Sequence, residues 1–302
     1  MPELPDILVY LDALRHHAVG KRLNDIIVRG PSLLRSVEPP LDAFDGSVLM
    51  DVSRIGKRIV LHFDAGTALV IHLMIAGRLL WHNERARPTG RNDLAAFRFE
   101  NGTLMLTEAG TTHRATLTAV GSEAELQRIN RGGIDLLTCT RDELATRLHS
   151  ENRTLNRALT DPRIIDGVGN SYSDEILHAA QLSPFVRTAD MSEAQIAALH
   201  EAAMNTLTHW SKELHRQFDG GRKFPGRGQI TAFRTGFAVH GRFSLPCPRC
   251  GCPVQRVVYA ENEMNYCARC QTNGKVLADR SLSRLLRDDW PKSIEELEEQ
   301  HE

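Results

Sequence analysis

Two groups of residues in this chain have types and spacings that could do chemistry. The first is Cys247-x-x-Cys250, sixteen residues, then Cys267-x-x-Cys270. Each pair sets two sulfurs on one knuckle, and Gly251–Tyr266 is long enough for a hairpin that returns the second knuckle to the first. Two thiolate pairs so spaced fit one closed, tetrahedral, structural Zn2+ with no position left for water. Pro246 and Pro248 stiffen the first knuckle. Arg249, Arg256 and Arg269 would let such a module grip phosphate; a plain zinc ribbon used for protein contacts is the other reading. The second group is Pro2-Glu3 behind Met1. With Met1 removed, Pro2 carries a terminal secondary amine with a useful neutral fraction near pH 7. That amine can attack an electrophilic carbon and become an iminium ion, an electron sink. Glu3 beside it could move the protons.

Elements must hold these groups. Asp6–Val19 has helical apolar spacing and ends before Gly20. Short β-rich runs follow at Leu23–Arg29, Val48–Ile55, Lys57–Phe63, Leu69–Leu73, Arg78–His82, Ala95–Glu100 and Thr103–Thr107. Turn signals separate them at Asp64-Ala65-Gly66 and Glu100-Asn101-Gly102, and this rhythm predicts a β-sandwich. Helical spacing returns at Arg141–His149, Thr154–Ile164, Tyr172–Ala180 and Glu193–Gln217, the last opened by a Ser192/Gln195 capping box. Asp166-Gly167-Val168-Gly169-Asn170 makes a tight turn into a helix N-terminus, where backbone N–H groups can bind phosphate. Gly220–Gly228 reads as a cationic, mobile loop or an ordinary linker. Asp279–Arg287 has a weak helical pattern. The expected class is α+β and multidomain, with a β-sandwich over 1–135, a helical domain over 136–238, a zinc finger over 239–271 and an acidic tail over 272–302.

Composition narrows the field. A chain of 302 residues can bury two or three cores. It has no apolar run of membrane length and no signal-peptide pattern, so a cytoplasmic location is expected, nucleoid-associated if the source is bacterial; a monomer is expected as well. Six cysteines, four in CxxC pairs, suit a metal in a reducing compartment, with Cys139 and Cys252 left over. The net charge of −1 conceals an asymmetry: Asp288–Glu302 holds seven acids and one base, which leaves the remainder at +5. A mildly basic body can hold a polyanion.

In combination these features resemble the formamidopyrimidine-DNA glycosylase and endonuclease VIII family. Met1-Pro2-Glu3-Leu4-Pro5 resembles that family's opening, and Gly56-Lys57-Arg58 its phosphate-binding lysine. Ile71-His72-Leu73 with Gly77 resembles its His-Leu strand, and Asp166–Glu175 its helix–two-turn–helix signature. Val239-His240-Gly241-Arg242 and the four cysteines also fit. The resemblance covers about residues 1–271. It implies a base-excision-repair glycosylase and AP lyase with damaged DNA in a cleft between a β-sandwich and a helical, zinc-bearing domain. It also implies flipping of the damaged nucleotide, attack of the Pro2 amine on sugar C1′ and β,δ-elimination. Glu3, Lys57 and Glu175 would then be catalytic, Glu175 as a second acid. Lys57, His72, Asn170, Arg249 and Arg256 would hold the DNA, chiefly through its backbone. Singly, each has a plainer reading: a solvated lysine, a satisfied core histidine, a helix-capping asparagine.

Three positions depart from the family pattern. The usual zinc-finger arginine is Asn262, and an amide does not replace a bidentate cation. The void-filling methionine is represented by Met74 or Ile75. The wedge loop reads Thr107–Arg114 without an aromatic, leaving His113 and Arg114. These changes point to an altered lesion or strand preference, single-stranded DNA included, or to a member that binds damaged DNA with weakened catalysis.

Overall fold

The computed structural model describes residues 1–259, 262–277 and 293–299. The helix expected at Asp279–Arg287, the acids Asp288 and Asp289, and the side chain of Asn262 lie outside the described residues. The chain divides into two compact units that do not follow chain order: 1–131 with 209–232, and 132–208 with 233–302.

The first unit begins with α1 (Leu4–His17). Leu4, Ile7, Leu11 and Leu14 fall three or four apart and are all buried. Two antiparallel four-stranded sheets follow. One has the order β1 (Leu23–Val28), β6 (Asp93–Phe99), β7 (Gly102–Glu108), β5 (Gly77–His82). The other has the order β2 (Leu49–Ile55), β3 (Arg58–Phe63), β4 (Ala68–His72), β8 (Thr116–Val120). This is the expected sandwich. One core joins α1 to Leu23, Leu49, Ile59, Leu61, Ile71, Phe97 and Leu106. Strand β3 is apolar on both sides because both are covered. Ile59 and Leu61 face the main core, while Val60 packs with Val70, Val120 and Leu126 of α2 (Glu123–Ile129). Strand β8 and α2 were not foreseen: Thr116-Leu117-Thr118 alternates only briefly, and α2 is two turns long.

Helix α6 (Glu193–Gln217) supplies residues to both units, and its last turns belong to the first. Leu214, Phe218 and Ile230 enter the sandwich core, which is why 209–232 joins it. The linker reading of Gly220–Gly228 needs correction for its middle. Phe224 packs on Trp81 with ring centroids 6.2 Å apart and on Tyr10 at 6.1 Å. A half-buried aromatic anchors a segment that its glycines and cations mark as loop.

The second unit contains α3 (Arg141–His149), α4 (Leu155–Thr160), α5 (Asn170–Ala179) and the first part of α6. Leu144, Leu148, Leu155, Leu159, Ile176, Ile196 and Leu199 are buried. Helix α4 is shorter than its periodicity predicted, because Asp161 takes extended backbone and ends it. The metal-type module is the hairpin β9 (Val254–Tyr259) and β10 (Asn262–Cys267), followed by α7 (Ala268–Thr272). Among the described residues no helix is long and apolar enough to cross a membrane.

Candidate active site and metal centre

The start of the chain is held from several directions. Pro2 and Glu3 are buried at the N-terminus of α1. The Glu3 N–H donates to Asp6 Oδ2 at 2.9 Å, part of a capping box. The helix itself is fixed where the Leu79 N–H donates to the Tyr10 hydroxyl at 3.2 Å. Burial lowers the pKa of the terminal amine, which is that of Met1, one residue before Pro2. The carboxylates of Glu3 and Asp6 oppose this, and the cations Arg78 and Lys57 add to it. The N-terminal pole of α1 also disfavours a charged amine. The environment at the chain start therefore favours a neutral amine, that of Met1 here; the Pro2 nitrogen becomes an amine only once Met1 is removed.

Arg78 was missed from the sequence, where it sits inconspicuously at the start of a strand. Its Nε donates to Ile230 O at 2.8 Å and its Nη1 to Gly77 O at 2.7 Å. It also lines a cavity of about 390 Å³ with Ile75, Ala76, Asn92, Thr107 and Arg227. The turn beneath requires Gly77, since a Cβ there would lie 2.2 Å from Leu73 O. Met74 adopts a positive φ of 52°, and Ile75 is left 54% exposed. Of the two void-filling candidates, Ile75 is the projecting one. The loop after β7 is closed by Glu108, whose Oε2 accepts from Arg114 N and Ala115 N at 2.8 and 2.9 Å. His113 and Arg114 are exposed on it.

A cluster of cations forms where β3 and β4 meet. Ile55 and Arg58 pair across a two-residue loop of Gly56 and Lys57, with Gly56 at φ 63°. A glycine at the first loop position is what such a tight hairpin demands. It places Lys57 at the tip. Arg58 lies opposite His72 in the register. Burial first, then Arg58, Lys57 and Arg131, push His72 down to about 4. His72 is thus a neutral ring among three cations, a setting that favours an anion. Arg131, at the end of this unit's first segment, was also missed.

In the second unit, Gly169 caps α5 and Asn170 opens it, half-buried, after the turn through Gly167. The carboxylate of Glu175, expected as a second acid, accepts from three backbone donors. Its Oε2 accepts from Ala238 N at 2.7 Å, and its Oε1 accepts from Val239 N and His240 N, each at 2.9 Å. Burial raises its pKa while these donors lower it. Beside it Asp174 Oδ2 accepts from Asn265 N at 2.9 Å and pairs with His240 Nδ1 at 2.8 Å. Burial pushes this carboxyl up to about 7 against His240, and its other oxygen has no hydrogen-bond partner. Asp174 and His240 stood inside recognisable motifs, yet nothing in the sequence linked them.

The sulfurs of Cys247, Cys250, Cys267 and Cys270 lie within 4.8 Å of one another. Cys250 and Cys267 are 3.4 Å apart, and Cys247 and Cys270 4.0 Å. A tetrahedron with zinc–sulfur bonds of about 2.3 Å has edges of about 3.8 Å. The donor set and its spacing fit that ion. Gly251 N–H to Cys247 O at 2.9 Å closes the first knuckle, and Cys267 caps α7 at the second. Burial and neighbouring sulfurs push the Cys270 thiol up to about 11, whereas, against burial, hydrogen bonds from the Cys252 backbone and the other sulfurs lower Cys250; a bound cation would favour the thiolate form of all four. Cys252 is buried next to the cluster but outside this group. His178 Nε2 lies 3.2 Å from Cys247 Sγ, and burial with nearby Arg249 pushes that ring down to about 4. Arg249 is exposed. Arg256 stacks over Phe243 at 4.2 Å and lies 3.6 Å from Glu263.

The structure thus brings Pro2, Glu3, Lys57 and His72 into one unit. It brings Asn170, Glu175, Arg249, Arg256 and the four cysteines into the other.

Comparison with known proteins agrees with this division. Residues 1–111 match the formamidopyrimidine-DNA glycosylase N-terminal domain, and residues 136–213 match the formamidopyrimidine-DNA glycosylase H2TH domain. A formamidopyrimidine-DNA glycosylase of Thermus thermophilus is 31% identical over 284 residues, which are 91% of this chain and 100% of the relative. An uncharacterized formamidopyrimidine-DNA glycosylase-like protein of Mycobacterium tuberculosis is 41% identical over 158 residues, 51% of this chain and 94% of that protein. The crystal structure of the MutM (Fpg) protein of T. thermophilus superposes with a TM-score of 0.73 at 28% identity, covering 89% of this chain and 98% of that one. Lactococcus lactis Fpg bound non-covalently to DNA containing an AP site shares the fold, with a TM-score of 0.76 at 21% identity over 89% of this chain and 99% of that one. The chain belongs to the formamidopyrimidine-DNA glycosylase family.

Proposed function

We propose that this protein is a DNA glycosylase and AP lyase that removes oxidised bases through the amine of Pro2. The observation that carries the reading is the buried start of the chain. Burial with the cations Arg78 and Lys57 biases the Met1 amine there toward the neutral form, and a Pro2 nitrogen freed by removal of Met1 would take up that setting, next to Glu3 and to the cavity that Arg78 lines. A damaged nucleotide flipped from the duplex presents its sugar to this amine and its base to the cavity. The proline nitrogen attacks C1′ and gives up its proton, and the C1′–base bond breaks, the base leaving with a proton; the C1′–O4′ bond then opens, O4′ taking a proton from Glu3 as the nitrogen lone pair forms the C1′=N bond. The resulting iminium ion withdraws electrons from C2′. Loss of a C2′ proton expels the 3′ phosphate, and a second elimination expels the 5′ phosphate. Lys57, Arg58 and Arg131 with His72, and separately Asn170, Arg249 and Arg256, hold phosphates. Ile75 fills the space left by the flipped nucleotide.

The four cysteines hold one structural Zn2+, which supplies folding energy and no step of the reaction. Glu175 serves the reaction indirectly, by holding the 238–240 segment.

Borohydride reduction during turnover traps the iminium as a covalent protein–DNA adduct. Incubation with oligonucleotides bearing oxidised purines, oxidised pyrimidines or an abasic site, single- and double-stranded, should give an adduct with at least one. Acylation of the Pro2 nitrogen, which leaves it no lone pair for iminium formation, should abolish it. DNA binding without an adduct on any substrate would reject the enzymatic reading in favour of a binding protein.

A further inference from the structure

Helix α5 holds the cysteine module through three side chains in two turns. Asp174 accepts from Asn265 N, Glu175 from the 238–240 backbone, and His178 reaches Cys247 Sγ at 3.2 Å. The first and last are four residues apart and so share a face. The imidazole is only 6% exposed, and Cys247 is 2% exposed. A buried ring N–H needs an acceptor, and among the described residues the hydrogen-bond partner of this ring is Cys247 Sγ. A metal-bound thiolate has no proton to give, so across this contact the ring must be the donor. Nε2 therefore carries the hydrogen. Nor is His178 a fifth ligand: the compact ligand group consists of the four sulfurs alone.

We propose that His178 is a positioning residue for the metal centre, donating a hydrogen bond from Nε2 to the zinc-bound Cys247 thiolate and so slowing loss of the ion. This rests on the reading of the four cysteines as a zinc site. A hydrogen bond to an ionised sulfur in a buried setting draws charge off it. The thiolate becomes a poorer target for protons and electrophiles, the species that strip a knuckle. The same contact ties the ion's first knuckle to the helix that Asn170 opens, so retention of the metal and placement of the helix reinforce each other.

The test uses the full chain as parent, His178→Phe and His178→Gln. Elemental analysis of the purified parent should give one zinc per chain; a parent without zinc overturns the zinc reading and this proposal with it. With zinc present, release into excess chelator should be roughly tenfold faster in His178→Phe, as is typical when an outer-shell partner is lost. His178→Gln keeps an N–H and should recover part of the difference. In the cobalt-substituted proteins the sulfur-to-metal charge-transfer band should move to lower energy in His178→Phe. Equal release rates and an unmoved band would overturn the proposal while leaving the zinc site standing. A measurement on the parent alone covers the case in which His178→Phe does not fold. In cadmium-113-substituted protein the His178 proton should reside on Nε2 and show coupling to cadmium through the sulfur. A ring protonated on Nδ1 alone overturns the proposal.

Discussion

Replacing Glu175 separates two accounts of this residue. As a second acid it would leave stability intact and abolish chemistry when changed to Gln. As a clamp it does the reverse. Its carboxylate accepts three backbone N–H groups at 2.7–2.9 Å. Glu175→Gln puts an NH2 group against at least one of those donors, and Glu175→Ala leaves all three facing a cavity. A hydrogen bond to a charged acceptor is worth about 1.5–3 kcal/mol net, but these three share one carboxylate and do not add fully. Burial raises the Glu175 pKa despite its donors, so part of the gain already offsets desolvation. A loss of about 2–4 kcal/mol remains. At 2–4 °C per kcal/mol for a unit of this size, the transition of the second unit should fall by about 5–15 °C. Calorimetry or chemical denaturation reads the shift. Trapping on abasic-site DNA at low temperature should retain a substantial adduct in both variants. Unchanged melting together with no adduct would refute the clamp and restore the acid.

Three further outcomes follow from the geometry. Lys57→Ala and Arg131→Ala should each weaken DNA binding on every sequence and reduce the slope of log K against log salt by about 1, measured by fluorescence titration. An unchanged slope removes that residue from the phosphate contacts. For His72 the folded ring is held down to about 4 against 6.5 unfolded. Its contribution to stability is therefore fully present above pH 6.5. It is lost as pH falls toward 4, because the unfolded chain takes up the proton first. The difference in stability between parent and His72→Gln should narrow over that window, and a constant difference contradicts the assignment. Gly77→Ala sets a Cβ 2.2 Å from Leu73 O and should cost about 1–3 kcal/mol in denaturant melts while reducing excision; full activity and stability would show that the 73–77 turn yields freely.

The elements legible in the sequence were those with strong local periodicity. All seven expected strands of the sandwich appear with small shifts at their ends, as do α1, α3, α5 and α6. The four cysteines carried their own geometry in their spacing. Lys57 was legible only through the resemblance of Gly56-Lys57-Arg58 to a family motif; by itself it read as a solvated lysine. What stayed hidden depended on contacts between distant segments. Arg78 acquires meaning only where Ile230 O and the chain start approach it, 152 residues away in one case. His178 looks like one more helical residue until Cys247, 69 residues later, comes to lie against it. The expected role of Glu175 was set by the motif, whereas its hydrogen bonds to the 238–240 backbone had no sign in the sequence. The placement of 209–232 was obscured for a related reason: a long helix gives no local sign of which core its end enters.

The account stands on the nitrogen of Pro2. Digestion of the borohydride-trapped adduct, followed by mass spectrometry of the DNA-linked peptide, tests it directly. The expected result is a peptide that lacks Met1 and carries the sugar remnant on the Pro2 nitrogen. A remnant on a lysine side chain, or an adduct formed by chains that retain Met1, would contradict it.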